Sequence, residues 1–225
     1  MPDYSLVIPC YNEAANLLNV VREHMRALEG LDYEIIVVDN GSTDDTHALV
    51  LNSARIKRVR LEQNQGYGGG IIEGLRVASG SVVGYTCGDG QISAETTLRV
   101  LMLAQMYQRC AKAVRITRYD PPLRLFQSRV YNWIFARVLG LYVRDINAMP
   151  KAWPRRLMMP ESRDWFIDVE LMIKIHAQGI HVMEVETEAR PRLSGRSSTR
   201  WFTGFGYLWN AITMHFDGRY RRWTR

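Results

Sequence analysis

Three short polar segments carry the residues that could do chemistry in this chain, and each follows an apolar run typical of a strand. They are residues 8–13, 37–44 and 81–91, whose carboxylates are Glu13, Asp39 and Asp89. Open α/β sheets bind ligands at the carboxyl ends of their strands. The three segments therefore predict one site, at one edge of a sheet, for a phosphorylated ligand together with a metal ion.

The carboxylates predict separate roles. Asp39 ends a buried strand, where it could accept hydrogen bonds from the N–H edge of a nucleobase. Asp89 lies in a turn between two glycines and could reach a hard cation such as Mg²⁺ or Mn²⁺, with Gln91 assisting or orienting it. An aspartate in a glycine-rich turn can also be structural. The polar groups at the other two strand ends favour a metal-binding role for Asp89 over a structural one.

A run of glycines at residues 66–70, with Gly68 at its centre, predicts a cradle for an anion. Amide groups exposed at the start of a helix bind anions. The run is not a dinucleotide fingerprint, because it follows the third strand and has Ile71 at the last glycine position. No Gly-Lys-Ser/Thr follows it, which excludes a Walker loop. Asp44, in contrast, is well placed to cap the next helix.

The composition predicts one domain, or one domain with an appendage. The 225 residues are 47% apolar and 23% charged, which is enough for a sizeable core and argues against disorder. Three cysteines without CxxC spacing argue against a disulfide framework or a zinc site and favour a reducing compartment. No run approaches the roughly 20 apolar residues of a transmembrane helix.

Charge divides the chain into two parts. Residues 1–110 contain 9 basic and 13 acidic side chains, and residues 111–225 contain 20 and 10. This split suggests a different ligand for each half, and the basic half could meet anionic lipid, a phosphorylated acceptor or nucleic acid. Because the arginines lack a helix-turn-helix, zinc-finger or RNP context, we expect no nucleic-acid partner.

Strand and helix signals alternate through the first half, which predicts a parallel α/β sheet. The predicted strands are residues 4–8, 33–38, 56–61, 82–86 and 113–117. A helix capped by Asn12 follows the first strand. Apolar spacing predicts further helices at residues 43–54, 70–78, 94–109, 123–142 and 169–178.

The helix predicted at residues 123–142 has a broad apolar face, which can pack on the sheet. Near its start, Arg124 and Ser128 are four residues apart, so both lie on one face and could hold phosphate oxygens. Asp168 and Asp145 are candidate general bases if the acceptor is an alcohol. A phosphate acceptor is already anionic, and these carboxylates would then position it.

The tail, residues 201–225, mixes aromatic residues with arginines. This mixture suits a membrane interface, where aromatic rings lie at the headgroups and arginines attract anionic lipid. It also suits nucleic-acid stacking or a subunit interface rich in Trp and Arg. The sequence hardly separates membrane contact from subunit contact.

Taken in order, the motifs resemble those of the family-2 glycosyltransferases, and within them the dolichol-phosphate-mannose synthase-like branch. The resemblance covers about residues 4–200. Two positions depart from the family pattern: Cys87 replaces the first Asp of the usual Asp-x-Asp turn, and Asn40 the second Asp of the usual Val-Asp-Asp-Gly-Ser. The matching motifs are VIPCYNE at 7–13, IVVDNGSTD at 36–44, NQGYGGG at 64–70, CGDGQ at 87–91, DINAMPK at 145–151, DVE at 168–170 and RLSGRSS at 192–198.

The resemblance implies a GT-A fold, a doubly wound and mostly parallel sheet flanked by helices, with a helical extension on the acceptor side. It implies a metal-dependent, inverting transfer of a sugar from a nucleotide-diphosphate donor to a polyprenyl phosphate, with Mg²⁺ or Mn²⁺ as cofactor. The implied nucleoside contacts are Pro9, Tyr11, Glu13 and Asp39, and Asp89 and Gln91 would hold the metal and diphosphate. The implied contacts to an acceptor phosphate or to the diphosphate are Arg118, Arg124, Ser128 and Arg192, with Ser197 as a further substrate contact.

We therefore predict a nucleotide-sugar-binding half at residues 1–118, an acceptor-binding half at residues 119–200 and the tail at residues 201–225. We expect a cytoplasmic protein that contacts the cytosolic membrane face peripherally, and a homo-oligomer is compatible with the sequence. Two alternatives stay open. One is transfer to a soluble alcohol or natural-product acceptor, and the other is a nucleotide-sugar-binding protein without turnover, which the lost carboxylate at Cys87 suggests.

Overall fold

The computed structural model describes residues 1–49, 52–117, 122–191, 209–210, 212–214 and 216–224, without the side chains of residues 122–124 and 138. Its strands are β1 (Tyr4–Cys10), β2 (Tyr33–Asp39), β3 (Ile56–Arg60), β4 (Val82–Tyr85), β5 (Ala111–Thr117), β6 (Lys151–Pro154) and β7 (Met183–Glu188). They form one sheet in the order β3-β2-β1-β4-β6-β5-β7. All neighbours are parallel except β6, which is antiparallel to both β4 and β5.

Helices cover both faces of the sheet, because successive side chains of its central strands are apolar and point to opposite faces. In β1, Leu6 and Ile8 belong to one core cluster and Val7 belongs to the other. The helices are α1 (Ala14–Ala27), α2 (Thr46–Leu49), α3 (Gly66–Val77), α4 (Ala94–Tyr107), α5 (Pro122–Leu139), α6 (Ile167–Ala177) and α7 (Arg219–Thr224). Side chains of α1 and α4 fill the first cluster, and those of α3, α5, α6 and α7 fill the second.

The strand order reverses next to β1, which is the feature that creates a binding crevice in such sheets. From β1 the chain continues to β2 and β3 on one side and then crosses to β4 on the other. The predicted doubly wound, mostly parallel α/β sheet is therefore confirmed. The predicted domain boundaries at residues 118 and 200 both fall outside the described residues.

Three helix starts differ clearly from the prediction. One is that of α2, which begins at Thr46 rather than at residue 43. Asn12 is not the cap of α1, because its backbone is left-handed (φ 56°) and Glu13 occupies the N-cap position. The third helix begins at Gly66 rather than at residue 70, so the glycines lie inside its first turn. Glycine inside a helix is less favourable than alanine, and close packing against its backbone can compensate for this cost.

Two strands of the second half were not predicted. The sequence of β6, Lys-Ala-Trp-Pro, is short and begins with a lysine, yet all four of its residues are buried. In β7, buried Val185 and Thr187 alternate with exposed Glu186 and Glu188. That alternation has the period of a half-buried strand, so β7 could have been predicted from the sequence.

The long helix α5 is confirmed, but its apolar face, predicted on residues that include Phe126, Val130 and Trp133 and not Phe135 or Leu139, is largely wrong. Phe135 and Leu139 are buried, whereas Phe126, Val130 and Trp133 are exposed. Within the part of the chain that the structure describes, no helix combines the length and apolar character needed to cross a bilayer.

Candidate active site

The carboxyl ends of β1, β2 and β4 meet around Cys10. Cys10 pairs with Asp39 in the sheet register, and the Asn40 amide donates to the Cys10 carbonyl at 2.9 Å. On the other side, a Cβ added to Gly88 would lie 3.3 Å from the Cys10 sulfur, which places the turn that carries Asp89 beside the same residue. The three predicted segments therefore share one edge of the sheet.

The electrostatics of Cys10 report the same convergence. Burial raises the pKa of the Cys10 thiol, and the carboxylates of Glu13, Asp39 and Asp44 raise it further. Carboxylates within a few ångströms oppose thiolate formation because like charges repel. Carboxylates from the first two segments thus lie close enough to act on one thiol, which stays neutral.

Asp39 is a buried carboxylate with one oxygen left for a ligand. Its side chain is 2% exposed, and its Oδ1 atom accepts from the Ser42 amide at 2.9 Å. Its Oδ2 atom is buried without a hydrogen-bond partner, and the nearest cation is the Nε atom of Arg60 at 3.7 Å. Buried polar atoms without partners are rare because their desolvation is costly. This oxygen is consistent with the predicted role of Asp39 in accepting a nucleobase N–H.

The loops after β1 and β2 are tied together by side chains. The side-chain oxygen of Asn12 accepts from the backbone amide of Thr43 at 2.9 Å, and the Ser42 hydroxyl accepts from the backbone amide of Asn12 at 3.0 Å. Asp44 accepts from the Thr46 amide at 3.0 Å and from the Ala14 amide at 3.3 Å. The predicted capping role of Asp44 is thus confirmed, and the same side chain also reaches the first turn of α1.

The other predicted nucleoside contacts lie on the first of these loops. Tyr11 is 42% exposed, and Pro9 is half-buried. Glu13 is half-buried and accepts from the Asn16 side-chain amide at 2.8 Å. Their roles at the nucleoside stay predictions, and their places beside Asp39 are compatible with them.

Gly68 corrects the prediction of an exposed anion cradle. Gly68 is buried, and a Cβ added to it would lie 2.2 Å from the carbonyl oxygen of Ser162. The next amide, of Gly69, already donates to the Arg163 carbonyl at 2.9 Å. The glycines are needed because the backbone of residues 162–164 packs directly on the first turn of α3, where any side chain would clash.

Asn40 explains one departure from the family motif. Its Nδ2 atom donates to the Gly66 carbonyl at 2.8 Å, while its Oδ1 atom accepts from the Gln65 amide at 3.0 Å. An amide can do both, whereas an ionised carboxylate can only accept. Asn40 therefore holds the start of α3 against the end of β2.

Asp89, the predicted metal ligand, is a buried carboxylate on the turn after β4. It is 6% exposed, and its Oδ1 atom accepts from the Gln91 amide at 3.2 Å. Burial raises the pKa of the Cys87 thiol, and the charge of Asp89 and a hydrogen bond to it raise that pKa further, so Cys87 is a neutral neighbour. The described residues contain no group of three or more His, Cys, Asp or Glu side chains that could hold a metal ion. Mg²⁺ and Mn²⁺ can be held by few protein carboxylates together with ligand oxygens, so the metal role of Asp89 and Gln91 stays a prediction.

Gln91 is half-buried, and its main chain ties the site to the end of β7. Its carbonyl accepts from the Arg190 amide at 2.7 Å. Arg192 and Ser197 lie outside the described residues, as does Arg118, and the side chain of Arg124 is not described either. Ser128 is half-buried on α5. The substrate contacts implied for these five residues stay predictions.

Asp168 is not available as a general base in this structure. It is 1% exposed and forms a short ion pair with Lys151, which is itself fully buried. The Tyr85 hydroxyl also donates to Asp168 at 2.5 Å. Burial and the charge of Asp168 raise the pKa of Tyr85, so its hydroxyl keeps its proton. This carboxylate therefore holds β4, β6 and α6 together beneath the edge.

Asp145, the other predicted base, is bound by a residue that sequence reasoning missed. Arg115 donates from Nε to Oδ2 at 2.7 Å and from Nη2 to Oδ1 at 2.8 Å. Asp145 is 7% exposed and adopts a left-handed backbone (φ 43°). A bidentate guanidinium pair of this kind positions both partners and stabilises the charged carboxylate.

A second missed residue is Thr86, at the end of β4 and three residues before Asp89. It is 1% exposed, and its hydroxyl oxygen has no hydrogen-bond partner. Its signal in the sequence was its place at the end of the strand predicted at residues 82–86, on the edge that carries the carboxylates. We count it with Asp39 as a polar atom left over at the site.

Comparison with known proteins decides the family. The model described as "Glycosyl transferase family 2" matches residues 5–163, more than half of the chain. The chain belongs to this family. The matched range contains all three strand ends that form the site.

The curated relatives share a named reaction. The undecaprenyl-phosphate 4-deoxy-4-formamido-L-arabinose transferase of Sodalis glossinidius is 32% identical over 161 residues, 68% of this chain and 49% of its own. The enzyme of the same name from Shewanella sediminis is 25% identical over 222 residues, 95% of this chain and 64% of its own. The chain thus spans about half to two thirds of the length of these relatives.

The fold is shared with solved glycosyltransferases. Glucosyl-3-phosphoglycerate synthase from Mycobacterium tuberculosis, crystallised with Mn²⁺, UDP and glucosyl-3-phosphoglycerate, superimposes with a TM-score of 0.75 at 18% identity. The match covers 94% of this chain and 79% of the synthase. It confirms the predicted GT-A fold.

Proposed function

We propose that this chain is an inverting glycosyltransferase that transfers a sugar from a nucleotide-diphosphate donor to a polyprenyl phosphate. The observation that carries the proposal is the convergence of the strand ends with Asp39 and Asp89 on one edge of the sheet, around Cys10. Membership of the family and the undecaprenyl-phosphate transferases among the relatives support the choice of reaction and acceptor.

The donor nucleoside would bind on the β2 side of the edge. The unpartnered Oδ2 atom of Asp39 offers an acceptor to a base N–H, and the exposed ring of Tyr11 lies on the adjacent loop. A charged acceptor in a buried place rejects bases that cannot donate to it, because its desolvation would be left uncompensated. This pairing would select the nucleobase.

The diphosphate and its metal would bind on the β4 side. Asp89 would supply the protein carboxylate for Mg²⁺ or Mn²⁺, with Gln91 beside it, and phosphate oxygens would complete the shell. A bound ion of this kind supplies positive charge that neutralises the leaving diphosphate. The buried hydroxyl of Thr86, next to this turn, would donate to a phosphate oxygen.

The transfer itself needs no general base when the acceptor is a phosphate. A phosphate-monoester oxygen is anionic near neutral pH and attacks the anomeric carbon opposite the diphosphate. The bond from that carbon to the diphosphate oxygen breaks, the nucleoside diphosphate leaves with the electron pair, and the configuration inverts. The burial and ion pairing of Asp145 and Asp168, the two predicted bases, favour a phosphate over an alcohol.

A transfer assay with undecaprenyl phosphate tests the proposal. UDP- and GDP-sugars would be supplied with Mn²⁺ or Mg²⁺, and both the released nucleotide and the lipid product would be measured. We expect one donor to give glycolipid and EDTA to abolish it. Asp89→Asn should lower the turnover about 10²- to 10³-fold, the usual loss when charge stabilisation of a leaving group is removed.

Glu95→Gln is the matched control, since Glu95 is an exposed carboxylate on the neighbouring helix α4. It should keep turnover within about twofold of the unmodified chain, as surface substitutions usually do. Full turnover by Asp89→Asn would remove Asp89 from the site. Transfer to soluble alcohols but not to the lipid phosphate would show that the acceptor is an alcohol and not a polyprenyl phosphate. Donor binding without transfer to either acceptor would mean that the chain is a binding protein.

A further inference from the structure

The helix α5 presents an apolar row to solvent that the proposed function does not use. Phe126 and Trp133 are each 63% exposed, and Val130, between them, is 36% exposed. At 100° per residue these three positions fall within about 60° of one another, along roughly 10 Å of the helix. Exposed aromatic side chains in a row are unfavourable in water and mark an interaction surface.

The opposite side of the same helix is fully accounted for. Phe135 and Leu139 are buried, and Tyr131 packs against the same core cluster. Phe135 contacts the ring of Phe166 edge to face at 6.5 Å. The exposed row is therefore not a misplaced core face, because the helix already buries an apolar row on the side that faces the sheet.

The charges around the row have one sign. Residues 122–139 contain three arginines and no acidic residue. Arg129 and Arg137 are exposed, and Arg137 continues the row one turn beyond Trp133. A helix with aromatic residues on its outer face and only cations beside them matches an anionic bilayer surface.

The helix is also anchored next to the acceptor side of the site. The Asn132 side chain accepts from the Ile146 amide at 3.3 Å, one residue after Asp145, which holds Arg115. A bilayer against the outer face of α5 would therefore lie beside the segment that carries this ion pair. A second copy of the chain fits the surface less well, because a stable dimer buries about 1,200–2,000 Å² and the row offers three apolar side chains.

We propose that the outer face of α5, formed by Phe126, Arg129, Val130, Trp133 and Arg137, is a docking surface for an anionic membrane. The proposal deepens the proposed function and rests on it for the lipid acceptor, whereas membrane binding itself can be tested without transfer. Docking would place the acceptor side of the site at the headgroup layer, where the phosphate of a lipid acceptor lies.

Vesicle binding tests the surface. The full chain would be sedimented with phosphatidylcholine vesicles that contain phosphatidylglycerol, and with vesicles of phosphatidylcholine alone. We expect binding to the anionic vesicles that weakens with salt. Each arginine near an anionic surface contributes about fivefold, so the double variant Arg129→Gln/Arg137→Gln should bind roughly 25-fold more weakly. Phe126→Ser/Trp133→Ser should lose at least about tenfold.

Met106→Ser is the matched control, because Met106 is 68% exposed on α4, outside the proposed surface. It should bind as the unmodified chain does. Equal losses in all three variants, or equal binding to both kinds of vesicle, would overturn the proposal. With a water-soluble, short-chain acceptor, Phe126→Ser/Trp133→Ser should keep the original transfer rate. The surface and the proposed reaction can therefore fail separately.

Quenching by brominated lipids locates the contact without relying on a destabilising change. Trp133→Phe keeps an aromatic ring but removes the fluorophore, and it should lose most of the lipid-dependent quenching. Trp209→Phe, at another exposed tryptophan (68%), is the comparison. Quenching that survives in Trp133→Phe and disappears in Trp209→Phe would move the membrane contact to the tail. A concentration-dependent dimer that does not bind vesicles would assign α5 to a second copy of the chain.

Discussion

At the ends of β1, β2 and β4 the loops are held by Asn12, Asn40 and Asp44, and Asp39 keeps a buried oxygen without a partner. The buried carboxylates around β5, β6 and α6 have internal cations instead, although the Oδ2 atom of Asp168 also lacks a hydrogen-bond partner. There Asp145 is bound by Arg115, Asp168 by Lys151 and Glu170 by Lys174, and each of these carboxylates is buried.

The difference shows which carboxylates are structural. Glu170 accepts from the amides of Glu161 and Ser162 at 2.8 and 2.7 Å, and so holds the loop that packs on Gly68. Glu170 thus uses its oxygens on two amides and on Lys174, which leaves little capacity for a ligand, whereas Oδ2 of Asp39 has no hydrogen-bond partner and lies 3.7 Å from the Nε atom of Arg60, which is 56% exposed. The loops after β1 and β2 are thus held by amide and capping groups, and the region of β5, β6 and α6 by internal ion pairs.

Lys151→Met should break the second arrangement with the largest effect. Removing the cation leaves the carboxylate of Asp168 buried and uncompensated, which typically costs about 3–5 kcal/mol of the free energy of unfolding. Urea unfolding monitored by circular dichroism would measure it. The double variant Lys151→Met/Asp168→Leu should recover part of the loss, because it removes both charges.

The control is Arg222→Met, which breaks a pair with Glu161 in which the two side chains are 63% and 49% exposed. Exposed pairs contribute about 0–1 kcal/mol, so this variant should unfold close to the unmodified chain. If Lys151→Met were equally mild, Asp168 would not depend on its partner. It would then return as a candidate base, and the contrast between the two regions would fail.

The first half of the fold could be predicted because its signals are local. Continuous β-branched runs marked β1, β2 and β4, and each ends at a glycine or an acidic residue within a few positions. Since parallel strands present their carboxyl ends on one edge, the meeting of Asp39 and Asp89 with Cys10 followed from topology alone. The alternation in β7 was equally local and should have been recognised.

The second half could not be predicted in the same way, because its decisive contacts join residues far apart in sequence. Nothing near Asp168 indicates that Lys151 and Tyr85 will reach it, and Arg115 is 30 residues from Asp145. A carboxylate looks the same in sequence whether it is catalytic or paired. Gly68 was misassigned for a similar reason, since the backbone of residues 162–164 that it accommodates lies over 90 positions away.

Asp39→Asn against Asp44→Asn should sharpen the contrast within a single loop. If Asp39 accepts from the nucleobase, the amide should weaken donor binding by about 1.5–3 kcal/mol, or roughly 10- to 150-fold, as expected for a hydrogen bond to a charged group. Isothermal titration of the nucleotide would measure this loss. The unfolding free energy should change little, because asparagine keeps an oxygen for the Ser42 amide and the pair with Arg60, which is 56% exposed and 3.7 Å away, contributes little.

Asp44→Asn should give the opposite result. It removes the charge from a cap that serves both α2 and the first turn of α1, so we expect a loss of about 1 kcal/mol in stability with donor affinity unchanged. Equal effects of the two substitutions on donor affinity would mean that Asp39 acts through loop structure. The assignment of its free oxygen to a nucleobase would then be wrong.

The smallest expected effect concerns Lys112, which stands opposite Lys151 across β5 and β6. It is fully buried, and its ammonium donates to the carbonyls of Ala113 and Arg144, each at 2.7 Å, rather than to a carboxylate. Burial and, to a smaller extent, the charge of Lys151 lower the pKa of Lys112 to about 7. Lys112 and Lys151 are thus both buried in the same region, and Lys151 is the one that forms the short ion pair with Asp168.

This lowered pKa makes stability rise with pH. Between pH 7 and the ordinary lysine range near 10.5, the unfolded chain binds the proton that the folded chain has released, so folding becomes more favourable as the proton is lost. From pH 6.5 to pH 8 this linkage amounts to about 1 kcal/mol. Lys112→Met should remove this dependence of stability on pH. The measurement is the difference between the unfolding free energies of the variant and the unmodified chain from pH 6.5 to pH 8, in which the contribution of the histidines cancels. A difference that does not change with pH would show that Lys112 keeps its proton on folding. Both buried lysines would then be charged, and the ion pairs of this region would compensate two charges instead of one.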